Sequence, residues 1–156
     1  MTAALRSLPM HPDLDADAVN DVLNQILEVE LSGVVRYTHS SLIIVGPNRI
    51  PLVAFMKAQA GESLVHAQQV GEILTGLGGH PTARIAPIED NRSRGIHDIL
   101  ADSLGHELRA LELYRSLLSR VEGKSVFLEE FARVQISAEE QHQLELRKMM
   151  RDFAEN

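Results

Sequence analysis

The sequence predicts an all-α domain, a four-helix bundle with a long crossover between its second and third helices. Three observations carry this. Apolar residues recur at helical spacing over four long stretches. Aromatics make up only 4% of the chain and Trp is absent, while Ala, Leu, Val, Glu and Gln are plentiful, a composition that favours helix over sandwich or barrel. Gly and Pro punctuation falls between the stretches and leaves short, long and short connections. A length of 156 residues with 44% hydrophobic content suits one domain with a sizeable core.

Residues 1–14 read as an N-terminal extension and 15–156 as the bundle. Pro9 and Pro12 are followed by Asp13, Asp15 and Asp17, acidic residues suited to a helix N-terminus. The first helix is expected from about Ala16 to Val45, where Gly46-Pro47-Asn48 ends it. Its apolar stripe is Val19, Val22, Leu23, Ile26, Leu27, Val34 and Leu42. Pro51 fits the first turn of a second helix that runs to Leu77 and stops at Gly78-Gly79-His80-Pro81. The stretch from Thr82 to Arg94, with Pro87, Asn91 and Arg92, reads as a connection. A third helix is expected from Gly95 to Val121, ended by Glu122-Gly123-Lys124. Ser125 caps a fourth that runs nearly to Asn156, with Glu129 one residue beyond the ideal capping-box place. Such helices span roughly 40 Å, and about fifteen extended residues cover that distance. The long link therefore allows the second and third helices to run parallel, whereas the short links make antiparallel neighbours.

A net charge of -7 without a cluster of Lys and Arg excludes nucleic acid as a partner. With no Cys there is no disulfide, thiolate nucleophile or sulfur-held metal, so any metal sits on oxygen and nitrogen. Met1 to Met10 carries one Arg and no continuous apolar core, and no run of eighteen apolar residues occurs, so a soluble, cytoplasmic chain with no membrane partner is expected.

The chemistry lies in polar residues placed where the periodicity asks for apolar ones. Glu30 shares a face with Ile26, Val34 and Tyr37. Glu107 shares one with Leu100, Leu104, Leu111, Tyr114 and Leu118. His142 lies on the stripe of Leu128, Phe131, Leu146, Met149 and Phe153, with Glu139 three residues before it. His66 leads Val70, Ile73 and Leu77, and Glu62 stands one turn earlier. Each helix thus sends a carboxylate, an imidazole or both inward.

A buried, unpaired carboxylate costs several kcal/mol, and no Lys or Arg sits at matching stripe positions. Polar residues merely hydrated in the core would have to bear that cost four times over. Divalent cations are the natural compensation, and oxygen and imidazole donors suit iron, with manganese or zinc as further candidates. One or two ions per chain are expected, in the manner of a di-iron carboxylate bundle. A repeat supports this: Glu30 to Tyr37 and Glu107 to Tyr114 are both seven residues, and Glu30 to Glu62 and Glu107 to Glu139 are both 32.

Glu30-Leu31 with Tyr37, His66-Ala67 ahead of Ile73-Leu74 and the Leu77-Gly78-Gly79-His80-Pro81 helix end, then Glu107, then Glu139-Glu140-Gln141-His142, occur in order at family spacing. In these the chain resembles the bacterioferritin branch of the ferritin superfamily, from about Asp17 to Met150. The resemblance implies a ferritin-like four-helix bundle, with Glu30 and His66 as terminal ligands of one iron and Glu107 and His142 of the other. Glu139 would bridge the two. Tyr37 would hydrogen-bond a ligand or take part in one-electron chemistry.

The chain departs from that pattern at Ser63, where the family's second bridging carboxylate stands. Glu62 is one residue too early, about 100° away on a regular helix. Two arrangements are open: a π-bulge that turns Glu62 inward, or Glu62 as an outer carboxylate holding the imidazole of His142. The residue before Glu139, at the place matching Glu62, is Ala138, and Leu64 stands where the family carries its haem-binding Met, so haem is not expected. The fourteen residues after His142 suffice to finish the fourth helix and not to add a fifth, so a homodimer or larger homo-oligomer is expected, and a closed storage cage is left open. His11, His39, His80, His97 and His106 are expected at the surface or helix ends, and Tyr114 as an ordinary core aromatic. Glu28, Glu129, Glu130, Glu140 and Glu145 read as a solvated face.

The leading function is oxidation of Fe(II) by dioxygen or peroxide, for iron storage or detoxification. The alternatives are a di-metal oxidase or oxygenase with a small organic substrate, which requires an apolar cavity beside the metals, and a non-catalytic metal-binding protein.

Overall fold

The computed structural model describes residues 11–90 and 95–151. They form four helices: α1 (Ala16–Ile43), α2 (Arg49–Gly76), α3 (Ile96–Val121) and α4 (Val126–Arg151). The expected all-α bundle is therefore present, and among the described residues no helix is long and apolar enough to cross a membrane. Residues 1–10, which hold most of the expected extension, and Phe153 on the expected α4 stripe lie outside the described residues.

Local chemistry sets the helix ends. The Asp15 side chain accepts the Ala18 N–H at 3.0 Å and caps α1. At the end of α2, Gly78 adopts φ +80°, and Gly79 N–H reaches back to the Leu74 carbonyl at 2.9 Å, a turn that a side chain at Gly78 would strain. Ser125 Oγ accepts from Leu128 N–H at 3.3 Å, as a cap should, while Glu129 reaches back to the Gly123 N–H at 3.0 Å.

The link between α2 and α3 climbs along α1. Thr82 N–H meets the Asn24 side chain, Ala86 N–H donates to the Glu28 carbonyl, the Arg36 guanidinium reaches the Pro87 carbonyl, and His39 lies 3.6 Å from Asp90. From residue 24 to 39 it thus rises about 22 Å at the helical 1.5 Å per residue. This is the crossover, and it starts α3 at the end of the bundle where α2 began.

α1 packs against α2 and α3, and α3 against α4. Among the described residues α2 and α4 never bring Cα atoms within 8 Å, so the seam between them is the bundle's open side. Two apolar clusters fill the interior. Val19, Leu23, Ile26, Val70, Leu74, Leu117, Val121 and Leu128 belong to one, and Ile44, Leu52, Met56, Leu100 and Leu146 to the other. Leu42, expected in the core, is 69% exposed. The α1 stripe instead continues by sevens from Glu30 through Tyr37 to Ile44, which turns into the core on extended backbone just past the helix end.

Candidate metal centre

Between the two apolar clusters lies a polar layer. Glu30 and Glu139 are 2% exposed, Glu107 3% and His66 7%. Their helices deliver them to one level because each occupies a stripe position midway along its element. Among the described residues no Lys or Arg is buried to offset three inward carboxylates.

The atoms fall into two triads. His66 Nδ1 stands 3.3 Å from Glu30 Oε1 and 3.7 Å from Glu139 Oε1. His142 Nδ1 stands 3.3 Å from Glu107 Oε2 and 3.7 Å from Glu139 Oε2. In each triad the donor atoms lie within 4.8 Å of one another, close enough to share an ion, and Glu139 gives one oxygen to each. Glu139 Oε2 is buried and has no hydrogen-bond partner among the described residues. An orphaned carboxylate oxygen facing an imidazole nitrogen, in a set made only of oxygen and nitrogen donors, fits a hard or borderline divalent cation.

Both histidines turn Nδ1 toward the carboxylates and Nε2 toward Glu62. Glu62 Oε2 is 3.2 Å from His142 Nε2, and Oε1 is 3.9 Å from His66 Nε2. Glu62 is 39% exposed and stands outside both triads, on the α2–α4 seam. α2 is α-helical throughout, without the π-bulge that would bring Glu62 inward, and Ser63 faces the interior instead at 6% exposure.

The two tyrosines are arranged by an internal two-fold. Tyr37 on α1 donates to Glu107 Oε1 on α3, and Tyr114 on α3 donates to Glu30 Oε1 on α1 at 2.7 Å. Tyr114 is thus more than core filling, and its seven-residue spacing from Glu107, equal to that of Tyr37 from Glu30, was the signal for it. Burial first, and the neighbouring carboxylates second, push both phenols well above their ordinary range, so they remain donors.

Without a cation the charges are balanced by protons. Burial, then the proximity of Glu107 and Glu30, push Glu139 up to about 9 against the attraction of His142. Burial acts upward on Glu107 too, but hydrogen bonds with His142 and Tyr37, and the proximity of Glu139, outweigh it and lower it to about 2. For His142 burial acts downward, and the hydrogen bond with Glu107 and the proximity of Glu139 win, raising it to about 10. A proton on Glu139 and a second on His142 stand where positive charge is needed.

His106 corrects the sequence expectation. It is 2% exposed, not at the surface, and meets the Tyr37 ring edge-on with centroids 5.6 Å apart. The buried stripe of α3 runs Ile99, Ser103, His106, Ala110 and Leu117, a helical spacing wide enough to have included it. Burial lowers His106 to about 4 despite the charge of Glu107, so the ring is neutral. His11, His80 and His97 are exposed, and His39 is half-buried. Of the expected solvated acids, Glu130, Glu140 and Glu145 are exposed, while Glu28 and Glu129 are partly buried.

A family model described as a ferritin-like domain matches residues 20–155. No curated protein matches the sequence. Among solved structures, a ferritin-like, diiron-carboxylate protein of Bacillus anthracis superposes with TM-score 0.83 at 21% identity, covering 87% of this chain and 97% of that one. A dodecameric thioferritin, the bacterioferritin-related protein of Bacteroides fragilis, gives 0.82 at 22% identity, with 91% and 89% covered. The bacterioferritin of Desulfovibrio desulfuricans, solved with its diiron site in different catalytic states, gives 0.78 at 20% identity, with 86% and 79% covered. With the family model spanning most of it, the chain belongs to the ferritin family, and its four-helix bundle shares the fold of those diiron-carboxylate and bacterioferritin structures.

Proposed function

We propose that the bundle binds two divalent ions, iron in the first place, and oxidises Fe(II) with dioxygen or peroxide for iron storage or detoxification. The observation that carries this is Glu139, which offers one oxygen to each triad, with no Lys or Arg buried among the described residues. Glu30 and His66 hold one ion, and Glu107 and His142 the other. Glu62 orients both imidazoles through Nε2, and the tyrosines fix one oxygen of Glu30 and of Glu107. Iron is the substrate. Two Fe(II) give two electrons to dioxygen, which with two protons leaves as hydrogen peroxide, or to peroxide, which with two protons leaves as two waters. The carboxylates stabilise the higher charge of Fe(III). Residues 15–156 form this unit, and the chain works as a homodimer or larger homo-oligomer in the cytoplasm.

The test is anaerobic loading with Fe(II) followed by oxidant, with ferric absorbance as readout. The native chain should oxidise iron rapidly, and Glu107→Ala and His142→Ala should bind less and oxidise it sharply more slowly. Unchanged iron content in both variants would overturn the assignment.

One observation favours a second reading, oxidation of a small organic molecule. A groove of about 680 Å³ on the α2–α4 side is lined by Val65, Ile73, Phe127, Phe131 and Val134, within the usual size of ligand sites. It also includes Gln69 and Gln135, which are hydrogen-bonded at 3.3 Å and lie within about one turn of His66 and Glu139. Turnover of an apolar substrate by iron-loaded protein, lost in Phe131→Ala with iron oxidation intact, would establish it.

A further inference from the structure

Ser63 stands where a second bridging carboxylate would complete the centre, and its surroundings are built, not vacant. Gly33 of α1 faces it. A Cβ on Gly33 would lie 2.7 Å from Ser63 Oγ and 2.7 Å from His106 Nε2, inside any tolerable contact. Helices α1, α2 and α3 therefore meet here through the absence of a side chain, a hydroxyl and an imidazole. His106 reaches across from α3 because positions 33 and 63 are both small, and it is held in place edge-on against Tyr37. Its Nδ1 is buried with no hydrogen-bond partner among the described residues.

We propose that His106 determines the composition of the metal centre: its imidazole occupies the volume a glutamate at position 63 would need, so that Gly33, Ser63 and His106 together hold the centre at one bridging carboxylate. This rests on the metal-centre reading given above. Ser63 Oγ and His106 Nε2 border the same small space beside Gly33, and a glutamate at 63 would have to extend its longer side chain past it. The consequence is an uneven centre. Glu30, Glu107 and Glu139 set three negative charges against the four positive charges of two divalent ions, and the hydroxyl and imidazole add none. The half built on Glu30 and His66, next to Ser63, is the weaker one.

The experiment is a double-mutant cycle on the full chain: native, Ser63→Glu, His106→Leu, and both together. Calorimetric titration with Co(II) under argon gives the two affinities, and thermal melting checks the fold. Ser63→Glu alone and His106→Leu alone should each leave the weaker affinity within about threefold, and the pair should tighten it about tenfold or more, a coupling in the range for side chains in contact. Should Ser63→Glu fail to fold while the double variant folds, the steric conflict is shown directly. The proposal is overturned if Ser63→Glu alone tightens the weaker site as much as the pair does, or if the folded pair tightens nothing. Failure of the underlying reading looks different: the native chain binds no Co(II), or His142→Ala binds as the native chain does, and the proposal falls with it.

Discussion

The two helical hairpins of this bundle are near-copies that diverge at one level. Each has a glutamate on its first helix, Glu30 or Glu107, a tyrosine seven residues on that reaches across to the other hairpin's glutamate, and a histidine on its second helix. Three residues before that histidine the α3–α4 hairpin has Glu139 and the α1–α2 hairpin has Ser63. Glu139 therefore serves both triads and Ser63 neither. The two halves match in spacing and in the tyrosine–glutamate hydrogen bonds but not in the charge at the centre, so fold and ligand set need not vary together.

The largest expected effect sharpens that difference. His142→Ala removes a ligand from the Glu107–Glu139 triad, and should weaken the tighter metal by more than the roughly 10–100-fold that loss of an outer-shell partner costs. His66→Ala should abolish only the weaker equivalent. Calorimetric titration of both variants reads this, and identical isotherms would remove the asymmetry.

Glu62→Gln tests the element that treats the halves alike, since its carboxylate faces Nε2 of both histidines. Both affinities should fall, by about tenfold at His142, where the approach is 3.2 Å, and less at His66, where it is 3.9 Å. An effect confined to His66 would contradict the geometry.

Acidity gives a third handle. Glu139 is raised from about 4.5 to about 9 and His142 from about 6.5 to about 10 in the metal-free fold. Between pH 6.5 and 9 the native state thus binds more protons than the unfolded chain, and stability must fall as pH rises. Metal displaces those protons. Thermal melting of metal-free protein should show lower midpoints at pH 9 than at 6.5, with the slope reduced by saturating Co(II). A metal-free midpoint that rises over this window would refute the charge balance.

The smallest effect probes the retained symmetry. Tyr37→Phe and Tyr114→Phe each leave a buried carboxylate oxygen without its phenol, a loss of about 1–3 kcal/mol. Urea denaturation of metal-free protein should give similar losses for the two, and a loss for Tyr37 alone would make Tyr114 the filler its sequence position first suggested.

Much of this was legible in the sequence. The four helices follow from apolar periodicity and Gly-Pro punctuation, and the crossover from the length of the second link. Glu30, Glu107, Glu139, His66 and His142 stand out because a carboxylate or imidazole on an apolar stripe requires compensation. What was not legible depends on three helices at once. Ser63 stands out along the chain and the α3 stripe of Ile99, Ser103 and Ala110 runs through His106, but nothing in one helix shows that a glycine on a second and a serine on a third border that imidazole. Leu42 was misassigned for a local reason: α1 stops at Ile43, and the chain, not the helix, turns the next apolar residue inward.

In the proposed centre one carboxylate, Glu139, links two metal sites, and Glu139→Ala probes that link without an intermediary. Titrated with Co(II) beside the native protein, the native chain should bind two equivalents of unequal affinity. The variant should lose the weaker equivalent and bind the tighter one at least about tenfold more weakly, since both ions lose a direct ligand. A single equivalent in the native chain, or a variant in which one of the two sites keeps its native affinity, would contradict the account.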